Sequence, residues 1–130
     1  MQVLDAHAVF VYLEKESGYE KVSDLLSRAA ETGKHLLMTS VNWGEIFYIT
    51  KREKGKEVAE GVMKVLDSFP IEIVDVDKHL AKQAGSYKAD KKMSYADCFA
   101  AALAKMKKAE LITGDKEFKE VEGEIKIIWL

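Results

Sequence analysis

The chain has 130 residues, 48% of them hydrophobic and 32% charged, with a formal net charge of -2. That length supports one domain with a substantial core, and the composition excludes a disordered chain. The lone Cys98 excludes an internal disulfide and a thiolate metal site, and fits a reducing compartment.

In chain order, strand and helix patterns alternate. Val3-Leu4 reads as a short strand, followed by a helical pattern through Val9, Phe10 and Leu13 that Ser17-Gly18 breaks. Val22, Leu25, Leu26 and Ala29 recur at the spacing of one helix side, and Gly33 supplies a stop. His35 to Met38 predicts a strand, and Thr39 or Ser40 can cap the helix that carries Glu45. Gly55 separates that helix from another over Val58 to Leu66. The β-branched run Ile71 to Val74 predicts a strand after Pro70, and Asp77 caps a helix through Leu80 and Ala84. An Ala-rich helix runs from Ser94 to about Lys107, then strands at Leu111 to Thr113 and Ile125 to Trp129. No repeat, low-complexity tract or linker divides residues 1–130, so they are read as a single domain. Five short strands separated by helices predict a three-layer α/β/α sandwich with a parallel five-stranded sheet.

Against this frame stand four acids, each ending an apolar stretch or opening a helix: Asp5, Glu45, Asp97 and Asp115. A carboxylate beside a hydrophobic run is costly unless something pairs with it. Right-handed crossovers carry all the strand ends to one edge of the sheet, where sites form. Each acid also has an ordinary account. Asp5 and Asp115 can cap helices, Asp97 completes a Ser94-x-x-Asp box, and Glu45 can close a cap begun at Asn42. Four acids reaching one edge, with no matching cations, point instead to a metal ion. Without metal, at least one of them is expected to titrate above the usual carboxylate range.

Other chemistries find little support. Neither a dinucleotide-binding glycine motif nor a P-loop is present. A haloacid-dehalogenase phosphatase needs a second Asp where His7 stands, and a receiver domain needs a Lys after the fifth strand. Cys98 sits on an Ala-rich face and reads as core; His7, His35 and His79 lack metal-ligand spacing. The net charge draws no nucleic acid globally, so binding rests on three local groups: Lys51, Arg52, Lys54 and Lys56; Lys88, Lys91 and Lys92; Lys105, Lys107 and Lys108. Solvated helix faces are the ordinary account of each. Asp5 and His7 interrupt the N-terminal apolar run and no basic segment precedes it, so a cytoplasmic protein with no membrane segment is expected.

The segments VLDAHAVFVYL, SVNWGEIFYI, SYADCFAAALAK and LITGDKEF, in this order and at this length, resemble the PIN-domain nucleases, most closely their VapC-type toxin branch. The resemblance implies a ribonuclease dependent on Mg²⁺ or Mn²⁺, with Asp5, Glu45, Asp97 and Asp115 as its acidic centre. It further implies that Thr113 helps order the site, that the protein forms a homodimer, and that a cognate antitoxin restrains it; Ser94 and His7 are further candidates for supporting the site. His7 stands where the family often has Ser or Thr. Oxygen-rich ligation suits a hard cation, with Asp5 and Asp97 expected as direct ligands and Glu45 and Asp115 binding through water or a second ion. Trp43, Phe47, Tyr48 and Tyr95 can stack on bases, although their spacing favours core or dimer packing. Surplus apolar surface is expected on the helices around Gly55, through Trp43, Phe47, Val58, Val62 and Leu66. A housekeeping RNA-processing nuclease, or a non-hydrolytic metal-binding or signalling module on the same fold, remains open from the residues alone.

Overall fold

Alternating apolar side chains both build the sheet and divide the core. The computed structural model describes residues 1–130. Strands β1 (Gln2–Leu4), β2 (Leu36–Thr39), β3 (Ile71–Val74), β4 (Glu110–Thr113) and β5 (Ile127–Trp129) form one sheet. Their order is β3-β2-β1-β4-β5, with every neighbouring pair parallel. Successive residues of a strand leave opposite faces. Val3, Leu37 and Leu111 therefore enter one core, while Leu4, Leu36, Met38 and Ile112 enter the other.

Helices α1 (Ala6–Leu13), α2 (Tyr19–Thr32), α3 (Ser40–Lys54) and α4 (Lys56–Asp67) cover the Leu4 face, burying Val9, Val22, Leu25, Ile46 and Met63. Helices α5 (Lys78–Asp90) and α6 (Tyr95–Lys107), with a 3₁₀ helix over Lys116–Val121, cover the Val3 face. The expected three-layer sandwich is thus the observed one. Cys98 is buried in the α6 layer, as its Ala-rich surroundings suggest. None of the helices is long and apolar enough to cross a membrane.

The elements depart from the sequence reading mostly at their ends. His35 stays outside β2, and Ile125 precedes β5, its amide donating to the Val121 carbonyl at 3.0 Å rather than to the ladder. Around Gly55 the apolar surplus is real but narrower than expected. Val58 and Val65 are exposed, whereas Leu66 is buried and Trp43, Phe47 and Val62 pack against the core.

Because β1 is central, the chain adds β2 and β3 on one side of it and β4 and β5 on the other. Such a reversal leaves a crevice outside the carboxyl ends of the strands that flank it. Those strands are β1 and β4, followed immediately by Asp5 and by Gly114-Asp115.

Candidate metal centre

Asp5 caps α1, its Oδ1 accepting from the Ala8 amide at 2.8 Å, yet only 1% of it is exposed. Its Oδ2 accepts from the Thr113 hydroxyl at 2.5 Å. The same hydroxyl oxygen accepts from the Asp115 amide at 2.9 Å, so fully buried Thr113 joins the ends of β1 and β4. Asp115 in turn caps the 3₁₀ helix through the Glu117 amide at 2.9 Å. His7 lies across this junction. The Gly114 amide donates to its Nδ1 at 3.3 Å, and a Cβ on Gly114 would come within 2.7 Å of its Cε1. Only glycine allows that approach.

Asp97 enters from α6. Ser94 caps this helix, its Oγ accepting from the Asp97 amide at 3.2 Å. The reciprocal bond of a capping box is absent, because the Ser94 amide donates to Glu117 Oε1 at 2.7 Å instead. A second acid of the same 3₁₀ helix, Glu120, takes the Lys92 amide at 3.0 Å. The Asp97 carboxylate, in a residue only 6% exposed, is thereby left to face other acids. Carboxylate oxygens of Asp97, Asp115 and Glu117 all lie within 4.8 Å of one another.

Glu45 arrives on the second turn of α3. The Thr39 hydroxyl caps this helix, accepting from the Asn42 amide at 3.0 Å and donating to the Asn42 side-chain oxygen at 2.5 Å. Buried Asn42 then donates to the Ala96 carbonyl at 3.1 Å, tying the first turn of α3 to that of α6. Glu45, one helical turn beyond, is half-buried and within electrostatic reach of Asp5, Asp97, Asp115 and Glu117. The structure therefore brings the four predicted acids together and adds Glu117. Sequence reading passed over Glu117 and met Asn42 only as a cap.

The electrostatics show what this assembly costs. Burial pushes Asp5 up to about 7, against the lowering effect of the Thr113 and Ala8 hydrogen bonds. Burial, reinforced by repulsion from Asp115 and Asp5, pushes Asp97 up to about 8. Burial also raises Glu45, with Asp115 and Glu117 adding to it. No Lys or Arg relieves them: the ion pairs of the chain use Glu14, Glu110 and Glu124. Carboxylate oxygens alone, converging without a counterion, fit a hard divalent cation and not a thiolate- or imidazole-seeking metal. Among the histidines, His7 spends Nδ1 on Gly114, and His35 and His79 are exposed elsewhere.

A concavity of about 850 Å³ lies at the opposite edge, lined by Arg28, Lys34, His35, Glu72 and Lys107. Helices α2 and α6 end there, and Lys107 stands in the last turn of α6, at its carbonyl end.

Known proteins with this architecture include a DNA-bound VapBC from Salmonella typhimurium, with TM-score 0.74 and 19% identity over 98% of this chain and 96% of that one. VapBC2 from Rickettsia felis, bound to a promoter DNA fragment, gives 0.76 and 19% over 99% and 98%. Mycobacterium tuberculosis VapC20, a sarcin-ricin loop cleaving toxin, gives 0.71 and 14% over 97% and 98%. No curated protein sequence matches the chain. The PIN domain family model matches residues 3–124, and on that near-complete span the chain belongs to the PIN domain family.

Proposed function

We propose that this PIN domain is an endoribonuclease dependent on Mg²⁺ or Mn²⁺, cytoplasmic, and the toxin of a toxin–antitoxin pair. The observation that carries the reading is the convergence of Asp5, Glu45, Asp97, Asp115 and Glu117 at the β1–β4 crevice with no cation to neutralise them. Likeness to VapC20 supports RNA as substrate, and likeness to VapBC structures supports a small protein antitoxin as partner.

When bound, a divalent ion supplies a Lewis acid at the scissile phosphate and lowers the pKa of an attacking water. The rest falls to the side chains. Asp5 and Asp97 are the proposed direct ligands, with Glu45, Asp115 and Glu117 completing the oxygen set. Thr113 holds Asp5 in one orientation and the Asp115 amide in register with it, so both carboxylates are placed before substrate arrives. Asn42 keeps the helices bearing Glu45 and Asp97 at a constant separation. Exposed Val58 and Val65 on α4 provide an apolar surface suited to a homodimer contact.

The test is cleavage of structured RNAs by purified protein with Mg²⁺, Mn²⁺ or EDTA, beside Asp97→Asn. Cleavage with metal, its loss in EDTA and in the variant, and inhibition by the product of an adjacent short reading frame are expected. Metal-independent cleavage, or full activity of Asp97→Asn, refutes the reading.

A further inference from the structure

A strand approaching five acids needs a second source of attraction, and several of the basic groups are engaged elsewhere. Lys105 pairs with Glu124 at 2.7 Å, and Lys107 lines the concavity at the far edge. Lys88 donates to the Met93 carbonyl at 2.8 Å, and Lys91 pairs with Glu124 at 3.7 Å. On α3, Lys54 pairs with Glu14 at 3.6 Å. Arg52 makes no ion pair; its guanidinium sits 5.3 Å above the ring of Tyr48.

Glu45, Tyr48 and Arg52 are spaced i, i+3 and i+7, so they form one stripe of α3. The stripe leads from the acids toward solvent over about 10 Å of helix axis. Tyr48 is 51% exposed along it. The first residue of α6, Tyr95, is 50% exposed, its ring centroid 4.9 Å from that of Phe99. Asn42 clamps these two helices together. Trp43 and Phe47, the other aromatic residues of α3, are spent on core packing.

We propose that Tyr48 with Arg52, and Tyr95, are stacking surfaces that hold unpaired nucleobases of a single strand whose phosphate lies at the acidic centre. This deepens the nuclease reading and rests on it. An aromatic ring capped by a guanidinium suits the face of a base, and the guanidinium edge keeps N–H groups for a phosphate. A duplex offers no such open face, so these residues select for unpaired segments.

The experiment measures fluorescence anisotropy of a labelled oligouridine of about twelve nucleotides, and of the matching duplex, on an Asp97→Asn background. Tyr48→Ala and Tyr95→Ala are each expected to weaken single-strand binding by about 5- to 150-fold and to leave duplex binding unchanged. Phe at either position retains it, and Arg52→Ala lowers the log–log salt slope by about one. All three side chains are at the surface, and matched thermal melts confirm intact folds. Alanine variants that bind oligouridine as tightly as their parent overturn the proposal. If they do so while the native chain still cleaves RNA, the nuclease reading stands without it. Tyrosine-dependent binding by a native chain that cleaves no RNA with any metal supports the stacking surface and removes the nuclease reading.

Discussion

Replacing Asp97 by Asn should make the metal-free protein more stable at neutral pH, although it removes a proposed ligand. In the folded chain Asp97 is held up at about 8, against 3.8 for an ordinary Asp. Between those values the folded state keeps a proton that the unfolded chain has released. Stability therefore falls as pH rises, by up to about 1.4 kcal/mol per pH unit for such a group. The contribution is fully present below about pH 4 and is lost by about pH 8. From about pH 5 to 7.5 this amounts to about 3 kcal/mol, and relaxation at the open edge reduces it to about 1–3 kcal/mol. Asn is nearly isosteric and carries no charge, so it removes that slope. At about pH 7.5 in EDTA the variant should melt about 4–12 °C above the native chain, a gap that narrows as pH falls and closes at about pH 4. Saturating Mg²⁺ should raise the native chain more than the variant, because only the native site binds it well. Thermal melts by calorimetry or circular dichroism across this pH range provide the assay. A variant that melts lower in EDTA at neutral pH, or that keeps the native pH profile, refutes the reasoning.

Thr113→Val strips the Asp5 carboxylate of its hydroxyl donor and the Asp115 amide of its acceptor; a loss of about 1–3 kcal/mol is expected in chemical denaturation, with Thr113→Ser restoring most of it. Gly114→Ala forces a Cβ against His7 and should lower both melting temperature and Mg²⁺ affinity by titration calorimetry, while His7→Ser in the same chain recovers both. Were the double variant no better than Gly114→Ala alone, the steric account of that junction would fail. Asn42→Ala cuts the link to Ala96; cleavage should fall more than stability, read as kcat against the denaturation midpoint.

The sheet was legible because its logic is local. Val3 against Leu4, Leu111 against Ile112, and the flanking Gly and Asp residues declare strand, face and stop within a few positions. The acids were legible for the same reason, each standing where an apolar run ends or a helix begins. Glu117 was not, since in LITGDKEF it looks like one charge on a solvated turn. Its place depends on the 3₁₀ helix folding back to the Ser94 amide, a contact 23 positions away. Asn42 depends on Ala96, 54 positions away, and no periodicity encodes that. The aromatic residues of α3 divided for a simpler reason. Trp43 and Phe47 share a face one turn apart, whereas Tyr48 is rotated about 100° from Phe47 and so reaches solvent.

Capping accounts for where Asp5 and Asp115 stand but not for why they are acids. A Ser or Asn serves as well at an N-cap, and neither carries a charge that burial penalises. Asp5 accepts one hydrogen bond at each oxygen and Asp97 accepts none from the protein, although a carboxylate offers about four acceptor sites. Both residues are almost wholly buried, and both are pushed far above the usual carboxylate range. Of the lysines before α6, Lys88 donates to a carbonyl and Lys91 pairs with Glu124. Carboxylates placed at this cost, with open oxygens and no ion pair, support the proposal of a cation that is not part of the chain. Divalent metal meets that demand with the hard, oxygen-seeking chemistry the donors offer. Phosphodiester hydrolysis is the reaction such a centre serves when a nucleic-acid strand can be held beside it.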